Sequence, residues 1–243
     1  TGPMPWNQIT CSSQTPLVDN QAPLTPGSSG WIDVPFSPSE LDDSARNPVT
    51  GGAFTGGYAP TVVSPAGQVC FNGGDGVPNT MDDVCVAGSA VSGSNYEIPA
   101  GAPAGYVPPS VFIGPEVLSA NPQISPSFRL CDVTNCNAGQ RAGDYVYIDP
   151  AAVAQLERVN SILGGDIEIV SGYRSPGYNA GLRSRNPNAA QFSRHMYGDA
   201  FDIDIDDNNS EADIVAACNA AGASYVSTYA SGSHVHCDWR NLD

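Results

Sequence analysis

Apolar residues recur with a helical period only in the second half of the chain. Val153, Leu156, Val159, Ile162 and Leu163 fall at the three- and four-residue spacing that draws one stripe along a helix. Asp149-Pro150 opens that helix with a capping carboxylate and a proline at its first position, and Gly164-Gly165 closes it. The period then shortens to two. Residues 166–170 predict a strand running into Ser171-Gly172-Tyr173-Arg174-Ser175. Residues 200–206 alternate strictly, with Phe201, Ile203 and Ile205 on one face and Asp202, Asp204 and Asp206 on the other, as a half-buried strand requires. Between these strands, residues 179–191 are polar and Asn186-Pro187 interrupts any helix, which predicts a loop with short helical pieces. Ser210 caps a helix that runs to about Ala221, and a last strand runs from about His234 to Trp239.

Residues 1–114 carry no such period. Gly, Pro, Ser and Thr dominate, and short strand-like runs at residues 31–34, 60–63 and 68–71 are separated by turn residues. This half predicts a loop-rich, disulfide-containing β or extended region with no assigned role, followed by a second unit over residues 115–243. One segment, residues 72–83, sets Asp75, Asn79, Asp82 and Asp83 among glycines between Cys70 and Cys85. Oxygen-bearing side chains on a tight turn point to calcium, although the alternate-position acids and closing glutamate of an EF-hand are missing. A solvated acidic turn is the plainer reading.

Composition narrows the setting. The chain has 243 residues and a formal net charge of −16, from 25 acidic residues against nine arginines and no lysine. Such a surface repels nucleic acid and anionic lipid, so neither is an expected partner. No apolar run reaches the roughly 18 residues of a membrane span. The polar start at Thr1 shows no signal peptide and suits a processed chain. Seven cysteines and short polar loops favour an oxidising compartment, hence a secreted, extracellular or periplasmic protein. Local spacing pairs Cys70 with Cys85, Cys131 with Cys136 and Cys218 with Cys237. Cys11 is left over, free or available, with the N-terminal region, for self-association.

The chemistry sits in two segments that hold all three histidines: Ser193-Arg194-His195-Met196-Tyr197-Gly198-Asp199-Ala200-Phe201-Asp202, and Ser233-His234-Val235-His236-Cys237-Asp238. A histidine and an aspartate seven positions apart, joined by a later histidine, suit a zinc ion with one position left for water. On the last strand His234, His236 and Asp238 share a face. If that strand and the one at 200–206 share a sheet, His236 and Asp202 converge, with His195 arriving from a loop. Asp238 is then placed either to orient a ligand histidine or to meet solvent.

With these motifs in order, the segment from about Ser125 to Asp243 resembles the zinc D-Ala-D-Ala carboxypeptidases and their relatives, among them peptidoglycan peptidases and the hedgehog signalling domain. The resemblance implies an α+β fold, a small antiparallel sheet with helices on one side. It implies His195, Asp202 and His236 as zinc ligands with a metal-acidified water, and Arg174 holding a carbonyl oxygen or substrate carboxylate. It further implies Ser193 positioning substrate and His234 in proton transfer. The expected function is a zinc peptidase cutting peptidoglycan stem peptides, as carboxypeptidase or endopeptidase. Several relatives carry Glu or Asp as general base where this chain has Ser233. Base work then falls to His234, Asp238 or Asp199. The same departure supports an alternative, a non-catalytic zinc-containing binding or structural extracellular protein.

Overall fold

The structure, a computed structural model, describes residues 61–240 apart from 74–76, 78–79, 94, 135, 137–143 and 230–231. The strand-like run at 31–34 and Cys11 lie outside the described residues. The runs expected at 60–63 and 68–71 belong to one strand, β1 (Thr61–Phe71), whose register slips between Val62 and Ser64 and again between Ala66 and Gln68. Gly67 is the residue skipped at the second slip, where a glycine suits a bulge. β1 pairs antiparallel with β2 (Val84–Ser92), and Cys70 sits opposite Cys85 and is bonded to it. β3 (Phe112–Ile113) adds to β2.

Two short helices follow, α1 (Pro115–Ala120) and α2 (Leu130–Thr134), and the Cys131–Cys136 disulfide closes the end of α2. α3 (Pro150–Ile162) forms as its pattern predicts: the Asp149 side chain accepts from the Ala151 amide, and Val153, Leu156 and Val159 are buried. β4 is only Ile169–Ser171, because Gly164, Gly165 and Asp166 all take positive φ and spend the preceding residues on the turn. Residues 176–185 correct the expectation of a broken loop. They form one continuous helix, α4 (Pro176–Arg185), opened by Ser175, whose hydroxyl accepts from the Tyr178 amide. Its buried face is made of Pro176, Gly177, Tyr178, Asn179 and Leu182, a set with no aliphatic period to reveal it. Only the end was signalled, at Asn186 before Pro187.

A 3-10 turn (Arg194–Tyr197) leads to β5 (Ala200–Asp204), then α5 (Glu211–Ala220), β6 (Tyr225–Thr228) and β7 (His234–Asp238). The second sheet is antiparallel in the order β4-β5-β7-β6. One face of β5 and β7 carries Phe201, Ile203, Val235 and Cys237, all fully buried in one core with Ile214, Ala217 and Cys218 of α5. Cys218–Cys237 bonds helix to strand. The same core continues through α2 and α3 to Val69, Phe71, Phe112 and Ile113 of the first sheet. The fold is α+β, with small antiparallel sheets. No helix among the described residues is long and apolar enough to cross a membrane.

Candidate metal centre

The polar face of β5 and β7 is where chemistry collects. Their register sets Asp202 directly opposite His236, so alternation aims both side chains away from the α5 core. Asp202 is fully buried and His236 nearly so. His195 arrives from the 3-10 turn, which Gly198 closes at φ 71°. That glycine is required, because a Cβ there would meet Tyr147 and the Ile148 backbone at 2.6–3.0 Å. The Arg174 amide donates to the His195 carbonyl at 3.1 Å, fastening the turn to the segment after β4.

Three donor atoms meet there. His195 Nε2 lies 3.1 Å from His236 Nδ1 and 3.1 Å from Asp202 Oδ2, and His236 Nδ1 lies 2.8 Å from Asp202 Oδ1. Among the described residues this is the group of His, Cys, Asp and Glu whose ligand atoms converge as a metal ion requires. The outer nitrogens explain how the inner ones face the site. His195 Nδ1 donates to the Gly172 carbonyl at 2.7 Å, which leaves Nε2 with its lone pair inward. His236 Nε2 lies 3.3 Å from Asp238 Oδ2, which leaves Nδ1 inward. Two inward lone pairs 3.1 Å apart need a cation or a proton between them.

The electrostatics agree. Burial lowers the His195 pKa, and Arg174 lowers it further, so this imidazole is neutral and able to ligate. Burial also acts downward on His236, but its bonds to Asp202 and Asp238 outweigh it and raise the pKa to about 9. In the absence of metal a proton therefore takes the cation's place. Asp238 is buried, which alone would raise its pKa, yet its bonds to Arg240 and His236 hold it below the usual carboxylate range.

Of the other expected residues, Arg174 is buried and its Nη2 lies 3.4 Å from Asp202 Oδ2, so the cation sits against the carboxylate of the centre. Ser193 is buried at the start of the 3-10 turn. His234 shares the His236 face of β7; its Nδ1 lies 2.8 Å from the Ser233 hydroxyl, its ring packs on Tyr229, and its buried Nε2 has no hydrogen-bond partner among the described residues. Asp238 turns inward to His236 rather than to solvent, whereas Asp199 is bound by Arg194, with 2.9 Å from Nε to Oδ1. Of the expected calcium loop, Asp75 and Asn79 lie outside the described residues. Asp82 and Asp83 each place an oxygen against the Thr80 hydroxyl, at 2.7 and 3.2 Å.

Sequence reasoning missed three contributors. Gly172 serves through its carbonyl, and a Cβ there would lie 1.6 Å from the Val133 carbonyl oxygen. Arg240 clamps Asp238, with 2.7 Å from Nε to Oδ1 and a second bond from Nη2 to Oδ2. Tyr106 accepts from Arg240 Nη1 at 3.2 Å. No periodicity marks a lone tyrosine in a Gly/Pro-rich stretch.

Comparison with known proteins bears on the same segment. The peptidoglycan L,D-endopeptidase MepK of Escherichia coli strain K12 and its namesake from Shigella flexneri are each 34% identical to this chain over 100 residues, 40% of this chain and 54% of theirs. The chain thus spans about half the length of the curated relatives it matches. No solved structure gives a significant match. The sequence profile of the family described as Peptidase M15 matches residues 127–238, which contain His195, Asp202 and His236 together with Arg174. Over residues 127–238 this chain is similar to the peptidase M15 family.

Proposed function

We propose that this chain is a zinc-dependent peptidase acting on the stem peptides of peptidoglycan outside the cytoplasm. The observation that carries the reading is the convergence of His195 Nε2, Asp202 and His236 Nδ1 within 4.8 Å of one another, buried, inside the segment shared with the M15 family. Donor atoms around a tetrahedral zinc at about 2.0–2.1 Å lie roughly 3.3 Å apart, close to the separations found here. Two imidazoles and one carboxylate leave a fourth position, as catalytic zinc sites do. Zinc, when bound, supplies Lewis acidity that lowers the pKa of water and polarises a carbonyl. The relatives' activity as L,D-endopeptidases favours cleavage within the stem peptide over removal of a terminal residue.

The chain's own residues divide the remaining work. Arg174 places a guanidinium at the edge of the centre, where negative charge develops on a carbonyl oxygen under attack. His234 takes the proton-transfer role that an acid would hold at Ser233; its Nε2 has no competing bond among the described residues. The Ser233 hydroxyl bonds the other nitrogen and orients the ring. Ser193 sits beside His195 to position substrate.

The test is bound metal by elemental analysis, followed by hydrolysis of purified muropeptides by the wild type and His236→Ala. We expect one zinc per chain, cleavage inside the stem peptide, and loss of both in the variant. A protein that binds zinc stoichiometrically and leaves every muropeptide intact would sink the peptidase reading and favour a binding or structural role. Release of terminal D-Ala alone would make it a carboxypeptidase.

A further inference from the structure

We infer that Tyr106, together with Arg240, is a positioning residue for the metal centre, acting on His236 through Asp238. Both residues lie outside the segment matched by the family, residues 127–238. The inference rests on reading the triad as a metal centre and adds to it the part played by the N-terminal half.

The chain of contacts is continuous. His236 Nε2 lies 3.3 Å from Asp238 Oδ2, and that bond fixes which imidazole nitrogen faces the centre. Asp238 is fully buried, so its carboxylate stands only where other groups hold it. Arg240 holds it with two parallel bonds, Nε to Oδ1 at 2.7 Å and Nη2 to Oδ2, the fork geometry that fixes a carboxylate in plane. Arg240 is only partly buried, and a half-exposed arginine does not hold one rotamer unaided. Two aromatic groups fix it. Its Nη1 donates to the Tyr106 hydroxyl at 3.2 Å, and its guanidinium lies 5.0 Å from the ring centre of Tyr225.

Tyr106 is anchored in turn. Its amide donates to the Pro103 carbonyl at 3.1 Å. Its ring lies 4.6 Å from the guanidinium carbon of Arg194, the residue before His195, and meets the Tyr197 ring edge-on at 5.1 Å. Arg194 is stacked on Tyr197 as well, at 4.5 Å, and is bonded to Asp199. One tyrosine from the N-terminal half therefore touches the neighbours of both histidine ligands: Arg194 beside His195, and Arg240 behind His236.

The prediction is read in zinc affinity, measured by chelator competition on the full chain, with melting of the metal-free protein alongside. Loss of a partner behind a ligand typically costs about 10–100-fold in metal affinity. We expect about tenfold weaker binding in Arg240→Ala and about threefold in Tyr106→Phe, which removes one hydroxyl and keeps the ring. Arg240→Lys, which cannot make two parallel bonds, should recover only part of the loss. The decisive reading is coupling: with Asp238→Asn in place, Tyr106→Phe should change zinc affinity by less than about twofold, because its route to His236 is already cut. Equal affinity in wild type and Tyr106→Phe, or the same loss with and without Asp238, overturns the inference. A wild type that binds zinc but cleaves nothing leaves it standing and removes only the peptidase; a wild type that binds no metal removes both.

Discussion

At His236 one residue is asked to hold either a proton or a metal. Burial opposes its charge, but bonds to Asp202 and Asp238 prevail and set its pKa at about 9 without metal. An unfolded histidine titrates near 6.5. The folded value is the higher, so the proton stabilises the metal-free fold fully below about pH 6.5, and that contribution disappears as pH rises through about 9. Metal must displace the same proton. Zinc binding at pH 7.5 should therefore release close to one proton from His236, and apparent affinity should climb about tenfold per pH unit until about pH 9. Calorimetry in buffers of different ionisation enthalpy measures the release directly; a value near zero at pH 7.5 would contradict this account. The triad itself was legible in the sequence, because three histidines confined to two short segments and a strict alternation at 200–206 left few arrangements. Arg240 and Tyr106 were not: Arg240 lies past the end of β7, and Tyr106 meets it from 134 residues away along the chain, a relation that no local pattern encodes.

Among the elements, the junction after β4 is the most demanding. Gly172 offers its carbonyl to His195 while its α-carbon lies against the end of α2, where a Cβ would stand 1.6 Å from the Val133 carbonyl oxygen. Backbone cannot yield as a flexible side chain does, so Gly172→Ala must push β4 away from α2. We expect a loss of about 3 kcal/mol in urea unfolding, at the upper end for overpacking. Zinc affinity should fall with it, because the His195 acceptor moves. Wild-type stability in that variant would show that the two elements separate freely. Helices with an aliphatic stripe, α3 and α5, could be read from periodicity and caps. α4 could not, because its buried face of Pro176, Gly177, Tyr178, Asn179 and Leu182 holds a single aliphatic side chain, and its packing partner is distant: the Gly177 amide donates to the Asn95 carbonyl at 3.0 Å. β6, an edge strand with exposed or half-exposed residues, likewise carries no alternation to detect.

For the whole molecule the question is whether the family segment is sufficient alone. Composition marks a change near residue 114, where a Gly/Pro-rich stretch gives way to periodic helices, yet the packing runs across it. Ile113 exchanges two backbone bonds with Val146, at 2.7 and 3.0 Å, and both side chains are fully buried. Phe71, Tyr96 and Phe112 fill the same core as Leu156 and Phe201. Tyr96 also accepts from the Tyr145 amide at 3.1 Å, and Asn95 meets the start of α4, which follows Arg174 directly. A chain beginning at residue 115 therefore exposes the partners of several buried aromatics, each costing about 1.5–3 kcal/mol when left in water. It also loses Tyr106 behind Arg240. Such a fragment should melt well below the full chain or fail to unfold cooperatively, and any folded fraction should bind zinc more weakly. Differential scanning calorimetry with and without zinc separates the two losses, because the stability that zinc adds grows with the logarithm of its affinity for the folded form. A fragment that matches the full chain in both readings would show that residues 61–114 merely rest on a self-sufficient domain. The buried contacts of Ile113, Phe112 and Phe71 argue instead that they complete it.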